Sequence, residues 1–450
     1  MISRIVPGTF ILLLLLNATD SFAETEVFEL SLQDAEIESL GASNQLKSFI
    51  SDVAAATEQA NSQFAELLPQ LSLEANYKYL SEVPDIPVQG QPPFPFGSHN
   101  NYSVGAVLRY TLWDTGTSRK AYQGLAKLAA SRQEDRKTEE LQILLSVRTA
   151  YVRVQLALEE LRLVNDTLEL SRAQDRDIAT RYRAGAATRL DLVTSERDVI
   201  GYELQFKQKQ ADLSVALKDL LALLGSRSVK DVSHPGPPNV DGVSLVLKLN
   251  PFQKLLTDEG QAEIPPPDDR QPQIRSRELL AESSELSAAS QKAELFPTVQ
   301  FSARTSLDYP NGPILEQINQ NTVFVGLSMP LFDGNRIRHL VAQNLMEAQS
   351  ARYRKDQLMV DIQRDFAKAR ELLDSLREQQ KLAKQDVLRS EEAARLYYES
   401  YKAGSINLID VQSANVRALL AKVSAARIDA QILNQLFILK ALSGRELGHE

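Results

Sequence analysis

Residues 70–80 read QLSLEANYKYL, and their alternation decides the fold. Leu71, Leu73, Ala75, Tyr77 and Tyr79 fall on one side of an extended chain, with Ser72, Glu74, Asn76 and Lys78 on the other. A Pro- and Gly-rich loop, Pro84 to Gly97, follows. A second stretch then alternates Val104, Ala106, Leu108, Tyr110 and Leu112 against Gly105, Arg109 and Thr111. Strands of about ten residues with one apolar and one polar face have the length and pattern of tilted strands that cross a bilayer. A soluble antiparallel sheet with one wet face would alternate in the same way.

The pattern occurs twice. Val299, Phe301 and Ala303 alternate with Gln300, Ser302 and Arg304. Val323, Val325, Leu327 and Met329 then alternate with Gly326 and Ser328, Phe324 being the exception on the polar side. Landmarks around the strands repeat as well. Leu67-Leu68-Pro69-Gln70-Leu71 has its echo in Leu295-Phe296-Pro297-Thr298-Val299, and Leu112-Trp113-Asp114-Thr115-Gly116 in Leu331-Phe332-Asp333-Gly334. Tyr182-Arg183-Ala184-Gly185 matches Tyr401-Lys402-Ala403-Gly404. Asp114 and Asp333, Gly185 and Gly404, Asp191 and Asp410, and Gly225 and Gly444 are each 219 residues apart. Pro69 and Pro297 are 228 apart, so the first copy carries nine extra residues between its Pro and its Asp. Length changes of that kind belong in a loop. One register held over so long a stretch marks a duplicated unit.

Each unit opens with a helix, roughly Asn44 to Leu67 and Arg275 to Leu295, which a proline stops. After the strands, Thr117 to Arg181 runs without Pro, enough for roughly 100 Å of helix at about 1.5 Å per residue. Leu141, Leu144, Leu145, Val147, Tyr151, Val152, Val154, Leu158 and Leu161 fall on more than one helical face, as in a helix packed on two sides. Gly185 and Gly404 read as left-handed caps. Thr188 with Asp191 has capping-box spacing, and Asn407 with Asp410 holds the same places in the second copy. The return helices extend to about Leu224 and Leu442. Between the copies, SHPGPPN (Ser233 to Asn239) and IPPPDDRQPQ (Ile264 to Gln273) read as a linker, with short helices around Leu245 to Leu256.

The expected division is therefore 1–23 as a signal peptide, 24–225 as the first repeat, 226–273 as a linker, 274–444 as the second repeat and 445–450 as a tail. Strands fall at about 70–80, 102–112, 298–307 and 322–330, and helical-hairpin tips at about 184–189 and 403–408. Arg4, the apolar run Ile11 to Leu16 and Ser21-Phe22-Ala23 have the order of a secretory signal cleaved after Ala23. The apolar run is too short for a membrane helix, which needs about 20 residues.

Composition narrows the chemistry. Asp and Glu outnumber Lys and Arg by 59 to 50, the wrong sign for a nucleic-acid backbone binder. With no cysteine there is no disulfide, thiolate site or lipoprotein anchor. His99, His234, His339 and His449 are scattered without metal-ligand spacing. No phosphate loop or nucleophile elbow is present. The sequence thus offers no catalytic, cofactor or metal site.

Four strands of membrane length cannot close a barrel, and an open edge in lipid costs several kcal/mol per unpaired backbone group. The chain is expected to associate, enclosing a lumen into which Glu74, Lys78, Arg109 and Arg304 alternate. Trp113 and Phe332, following the strands, are candidates for the membrane interface.

In the twofold repeat, the entries LPQL and LFPTV, the exits LWDTG and LFDGN, and the tips RYRAGAATRLDL and YKAGSINLIDV, the chain resembles the outer membrane efflux protein family of the TolC type. The resemblance runs from about Asn44 to Gly444. It implies a mainly α protein with a membrane β part: a homotrimer with a twelve-stranded barrel continued by a periplasmic α-helical barrel. It also implies docking to a periplasmic adaptor, and through it to an inner-membrane pump or ABC-type secretion transporter. The function implied is passive export across the outer membrane, without catalysis or cofactor. Carried over by position, Gly185 and Gly404 are docking residues, and Asp191, Asp410 and Tyr401 constrict the pore. Three copies would gather six tip carboxylates, which favour cations. Ile406 stands where that family's tip carries an Arg, and Ser413 where it carries a second Asp. The alternative reading is a secreted coiled-coil scaffold or adhesin without a channel.

Overall fold

The computed structural model describes residues 28–86, 90, 94–225, 247–248, 251–260 and 264–444. The expected signal peptide, most of the linker and the tail lie outside them. Eight helices are described: α1 Leu32–Ala42, α2 Asn44–Ala65, α3 Thr117–Arg183, α4 Arg189–Leu223, α5 Phe252–Gly260, α6 Pro272–Ala293, α7 Arg336–Lys402 and α8 Leu408–Ser443. Four long strands lie between them: β1 Gln70–Tyr79, β2 Asn100–Trp113, β3 Thr298–Tyr309 and β4 Ile318–Ser328. Among the described residues no helix is long and apolar enough to cross a membrane.

The duplication is visible in the elements. α3 and α7 each span 67 residues. In the first copy β1 pairs with β2, Gln70 opposite Arg109; in the second β3 pairs with β4, Thr298 opposite Ser328. Shifted by 228 and 219 residues, the first register becomes the second, so the two hairpins are equivalent. The extra residues of the first copy sit in its loop, where Asp85–Ile86 pairs with Phe94–Pro95. β2 and β3 join the copies, and all four strands form one antiparallel sheet in chain order. β1 and β4 are its unpaired edges.

Strand exits are built from a common device. Asp114 accepts hydrogen bonds from the amides of Gly116 (2.9 Å) and Ser118 (2.7 Å); Asp333 does so from Asn335 and Ile337 (both 2.9 Å). Between each Asp and its helix stand two left-handed residues, Thr115-Gly116 and Gly334-Asn335. Each carboxylate thus satisfies amides that the first helical turn leaves without a partner. Both Asp residues stood out in the sequence as landmarks of the repeat, but their capping role did not.

The helices pack most densely at mid-length. There Leu30, Leu32 and Ala35 of the N-terminal segment meet Val147, Tyr151 and Val154 of α3, Leu213 and Leu220 of α4, Leu255 of α5, and Leu433 and Phe437 of α8. α1 is an addition to the sequence reading, anchored by the Tyr151 hydroxyl donating to the Leu30 carbonyl (2.9 Å) and by Arg148 paired with Glu36 (2.6 Å). Phe28–Glu29 also pairs in parallel with Leu247–Lys248, a contact between distant segments that local pattern does not reveal. Of the range Leu245 to Leu256, where short helices were expected, Leu247–Lys248 is strand and α5 begins at Phe252; 245–246 and 249–250 lie outside the described residues.

Toward the strands, α6 lays a stripe of three serines, seven residues apart, on α3. Ser276 meets Ser131, and Ser283 and Ser290 donate to the carbonyls of Gly124 (2.7 Å) and Thr117 (2.8 Å). Away from the strands, buried Glu160 of α3 receives Lys209 of α4 and Arg427 of α8, each at 2.7 Å. Burial raises its pKa, but the hydrogen bonds and positive charges of Lys209 and Arg427 outweigh burial and hold it below the usual glutamate range.

A carboxyl with a depressed folded-state pKa contributes stability above its unfolded pKa, and that contribution is lost as pH falls through the folded value. Glu160→Gln is therefore expected to lower the melting temperature at pH 7. The gap from the parent should close as pH falls below the carboxylate range. Melting curves by circular dichroism check this; a gap that stays constant with pH would contradict it.

Candidate conduit and periplasmic tip

The sheet divides into two faces. Leu71, Leu73, Tyr77, Val104, Leu307, Val323, Val325 and Leu327 are all exposed on one of them. A large bare apolar patch on a monomer marks a surface meant for another apolar phase or partner. The other face carries Glu74 paired with Arg109 (2.5 Å) and Arg304 bonded to Ser103 (3.0 Å). Phe324 does lie on this polar face, its ring lying against Gly326 two residues along β4. At Gly105 a side chain would collide with the backbone of Thr305 and Ser306, so β2 and β3 approach more closely there than any other residue permits.

Aromatic residues sit at both ends of the apolar band. At the loop end, Tyr102 stacks on Tyr309 with ring centres 4.8 Å apart. At the helix end are Trp113 and Phe332, the latter 88% exposed. Simple alternation would put Trp113 on the polar face. A register shift between Thr111 and Trp113 turns it instead to the apolar face opposite Val299. A strand tilted by about 40° covers roughly 25–30 Å of barrel height between Tyr102 and Trp113, which suits the hydrocarbon core.

The far end is made by the two helical hairpins. Gly185 (φ 75°) and Gly404 (φ 77°) take the left-handed conformation. The amides of Ala186 and Ser405 close each turn on the carbonyls of Arg181 (2.8 Å) and Ser400 (3.0 Å). Beyond the turn the copies differ. Asp191 forms a full capping box, its amide donating to the Thr188 hydroxyl (3.1 Å) while its carboxylate accepts from the Thr188 amide (2.9 Å). Asp410 holds the matching place without that bonding: Asn407 makes no side-chain cap, and only the Asp410 amide reaches the Asn407 carbonyl (3.2 Å). The side chain of Asp410 is left exposed.

Tyr401 is half-buried among Ile178, Leu408, Val411, Tyr398 and Ile406. Burial raises its pKa, and the negative field of Asp191 adds to this, so the structure brings Tyr401 and Asp191 into one neighbourhood. Ile406, found where the family resemblance implies an Arg, is part of this apolar cluster. Ser413 bonds back to the Ile409 carbonyl at 2.9 Å.

Sequence reasoning missed the polar contacts that join the hairpins. The Tyr398 hydroxyl donates to Asp177 (3.0 Å), which also receives Arg181 (3.0 Å). Burial, and then Asp177, push the Tyr398 pKa up to about 12. Asn415 donates to Gln174 (3.1 Å) between buried faces of α8 and α3. Tyr398 and Asp177, and Asn415 and Gln174, are 221 and 241 positions apart, so no local motif could have shown these pairs. Among the described residues no group of His, Asp or Glu is placed to hold a metal ion.

A bilayer-high antiparallel sheet, apolar outside and polar inside, running directly into helices far longer than a membrane is thick, defines a channel-forming protein of the outer membrane. Comparison with known proteins agrees. Residues 38–226 and 268–445 match the family described as outer membrane efflux protein, and the chain belongs to it. It is similar to the pyoverdine export outer membrane protein OpmQ of Pseudomonas aeruginosa, 22% identical over 77% of this chain and 70% of that one. It is also similar to the outer membrane protein OprJ of the same organism, 25% identical over 89% and 81%. In fold it resembles the outer membrane protein VceC of Vibrio cholerae, with a TM-score of 0.73, 17% identity and coverage of 92% of this chain and 96% of that one. The protein is thus an outer-membrane export channel reaching into the periplasm.

The unequal caps predict unequal substitutions. Thr188→Ala should cost about 1 kcal/mol of local stability, the usual worth of a side-chain cap. Asn407→Ala should cost much less. Hydrogen exchange at residues 189–192 and 408–411 reads the difference; equal loss of protection at both sites would contradict it.

Proposed function

We propose that three copies of this chain form the exit duct of a tripartite efflux pump or type I secretion system, a passive conduit joined to a periplasmic adaptor. The observation that carries this is the four-stranded sheet with bare apolar outer face and two unpaired edges, which one copy has no means of closing. Three copies supply twelve strands.

The helices support association independently. α3 packs against both α6 and α8 of the second repeat, whereas α7 packs extensively only within its own repeat. The surfaces that would serve α7 in the same way are exposed. Ser48, Ala55 and Ser62 of α2, equivalent to the buried Ser276, Ser283 and Ser290, are exposed and face no other helix among the described residues. Leu419 of α8 is 8% exposed against α3, while its equivalent on α4, Ile200, is 66% exposed. A first repeat from a second copy would cover α7 as the second repeat covers α3. We read 24–225 and 274–444 as these two repeats, joined by 226–273, with 1–23 as the export signal and 445–450 as a tail.

In this reading Gly185 and Gly404 present the turns that dock an adaptor, which in turn couples to an inner-membrane pump or ABC transporter. Asp191, Asp410 and Tyr401 line the periplasmic mouth. Asp191 is tied into its cap, so the exposed Asp410 carries more of the cation affinity there. Trp113 and Phe332 anchor the periplasmic side of the outer membrane. Transport needs no catalytic residue or cofactor from this chain. OpmQ is named for pyoverdine export, and a related protein of Burkholderia cepacia for fusaric acid resistance; we propose small organic solutes as the cargo.

Planar-bilayer recordings test the reading. The purified protein should form discrete channels, and Asp410→Ala should weaken block by divalent cations more than Asp191→Ala does. A detergent-free soluble monomer without conductance would favour the scaffold reading.

A further inference from the structure

Resting on the channel reading and deepening it, we propose that Phe324 is a binding contact for cargo inside the barrel, and that the cargo it takes is an organic solute with a planar aromatic ring. Three copies set three such rings around one level of the lumen.

Phe324 is out of keeping with its surroundings. The residues that alternate onto the polar face of the four strands are serines, threonines, asparagines, glutamines, glycines and charged residues, with three apolar exceptions: Val107, Ile318 and Phe324. Val107 is buried, opposite Arg304 of β3. Ile318 is half-buried at the loop end, where β4 begins. Phe324 stands within the strand and is 59% exposed. An uncovered phenyl ring in a water-filled lumen offers apolar surface that the ring of a passing solute removes from water on contact.

The ring has a seat of its own. Gly326 follows two residues along β4, on the same face. A side chain there would come within 2.6 Å of the ring, and the three nearest atoms it would meet all belong to Phe324. Gly326 is not among the glycines with a left-handed torsion, so the ring and not the backbone calls for glycine at this position. The ring thus leans along its own strand rather than across the free edge of the sheet. Directly opposite it β3 carries Ser302, which is too short to cover it.

The duplication shows that the sheet itself does not demand an aromatic here. Shifted by 219 residues, Phe324 corresponds to Gly105 and Gly326 to Val107. The first copy places a glycine and then a buried valine where the second places an exposed phenylalanine and then a glycine. The registers of the two hairpins are equivalent, Gly105 opposite Glu74 and Phe324 opposite Ser302. The exchange therefore alters the surface offered to the lumen and leaves the strand pairing as it was. Contact with a single ring is also weak enough to release, as conduction requires.

Planar-bilayer recordings with benzenesulfonate and cyclohexanesulfonate, matched in charge and carbon number and added at the loop side, test the proposal. Benzenesulfonate should block the parent channel about fivefold more strongly than its saturated counterpart, the usual worth of an aromatic pair. Phe324→Leu, which keeps an apolar side chain without a ring, should lose that preference, and Phe324→Tyr should keep it. Gly326→Ala, which unseats the ring toward the lumen, should lower the unitary current and change the preference; it serves where Phe324→Leu fails to assemble, and a current and preference equal to the parent's would then overturn the proposal. A ring that only shields the glycine of its own strand would leave the preference intact in Phe324→Leu while lowering the melting temperature. Equal block of the parent by both probes, or a preference that survives Phe324→Leu, overturns the proposal. Parent protein that forms no channels overturns instead the reading on which it rests.

Discussion

Backbone hydrogen bonds at the margin of a sheet govern this structure. In water an exposed strand edge is tolerable, because solvent satisfies its amides and carbonyls. In hydrocarbon nothing does. β1 and β4 are long and bear apolar side chains on their outer face, and the charges of β1, Glu74 and Lys78, lie on its other face. The chain thus has a choice of environment and stoichiometry that its own length cannot settle alone. The duplicated architecture follows from this, since a unit that pairs internally through β2 and β3 already contains the surfaces needed to pair with another copy.

The helical half obeys a different rule. Its helices are held partly by apolar clusters at mid-length and near the tip, and partly by polar contacts within and between the repeats. Glu160 with Lys209 and Arg427, Gln174 with Asn415, and Asp177 with Tyr398 all bridge α3 to α4, α7 or α8. Their shifted equivalents are Gln379, Ala393 and Leu396, none of them ionisable. Two copies of one unit have thereby diverged in chemistry while keeping their geometry. The first copy's long helix keeps specific polar bonds to other helices at these three positions, and the second copy's does not.

How much of this was legible depended on the range of the interaction. Period-two alternation located all four strands within a few residues, because a membrane sheet has one solvent on each side and each residue must choose. The tips were legible through Gly185 and Gly404, since few other residues take the left-handed turn without strain. α1 and the pairing of Phe28–Glu29 with Leu247–Lys248 escaped, for their stability comes from distant partners rather than local pattern. Trp113 was legible as the residue that ends its strand, but its face could not be read, because the register shift before it breaks the alternation used to read it. The tip candidates were named by resemblance. Local bonding then separated Asp191, which is spent on its own helix, from Asp410, which is not.

The strand exits have a mechanical consequence. Two left-handed residues clamped by Asp114 or Asp333 leave little room for a hinge, so each long helix is a lever with its fulcrum at the membrane. An arm of roughly 100 Å converts one degree of rotation at that fulcrum into about 2 Å of travel at its far end. A very small torsion at the strand exits is therefore enough to displace the helical tips by atomic dimensions.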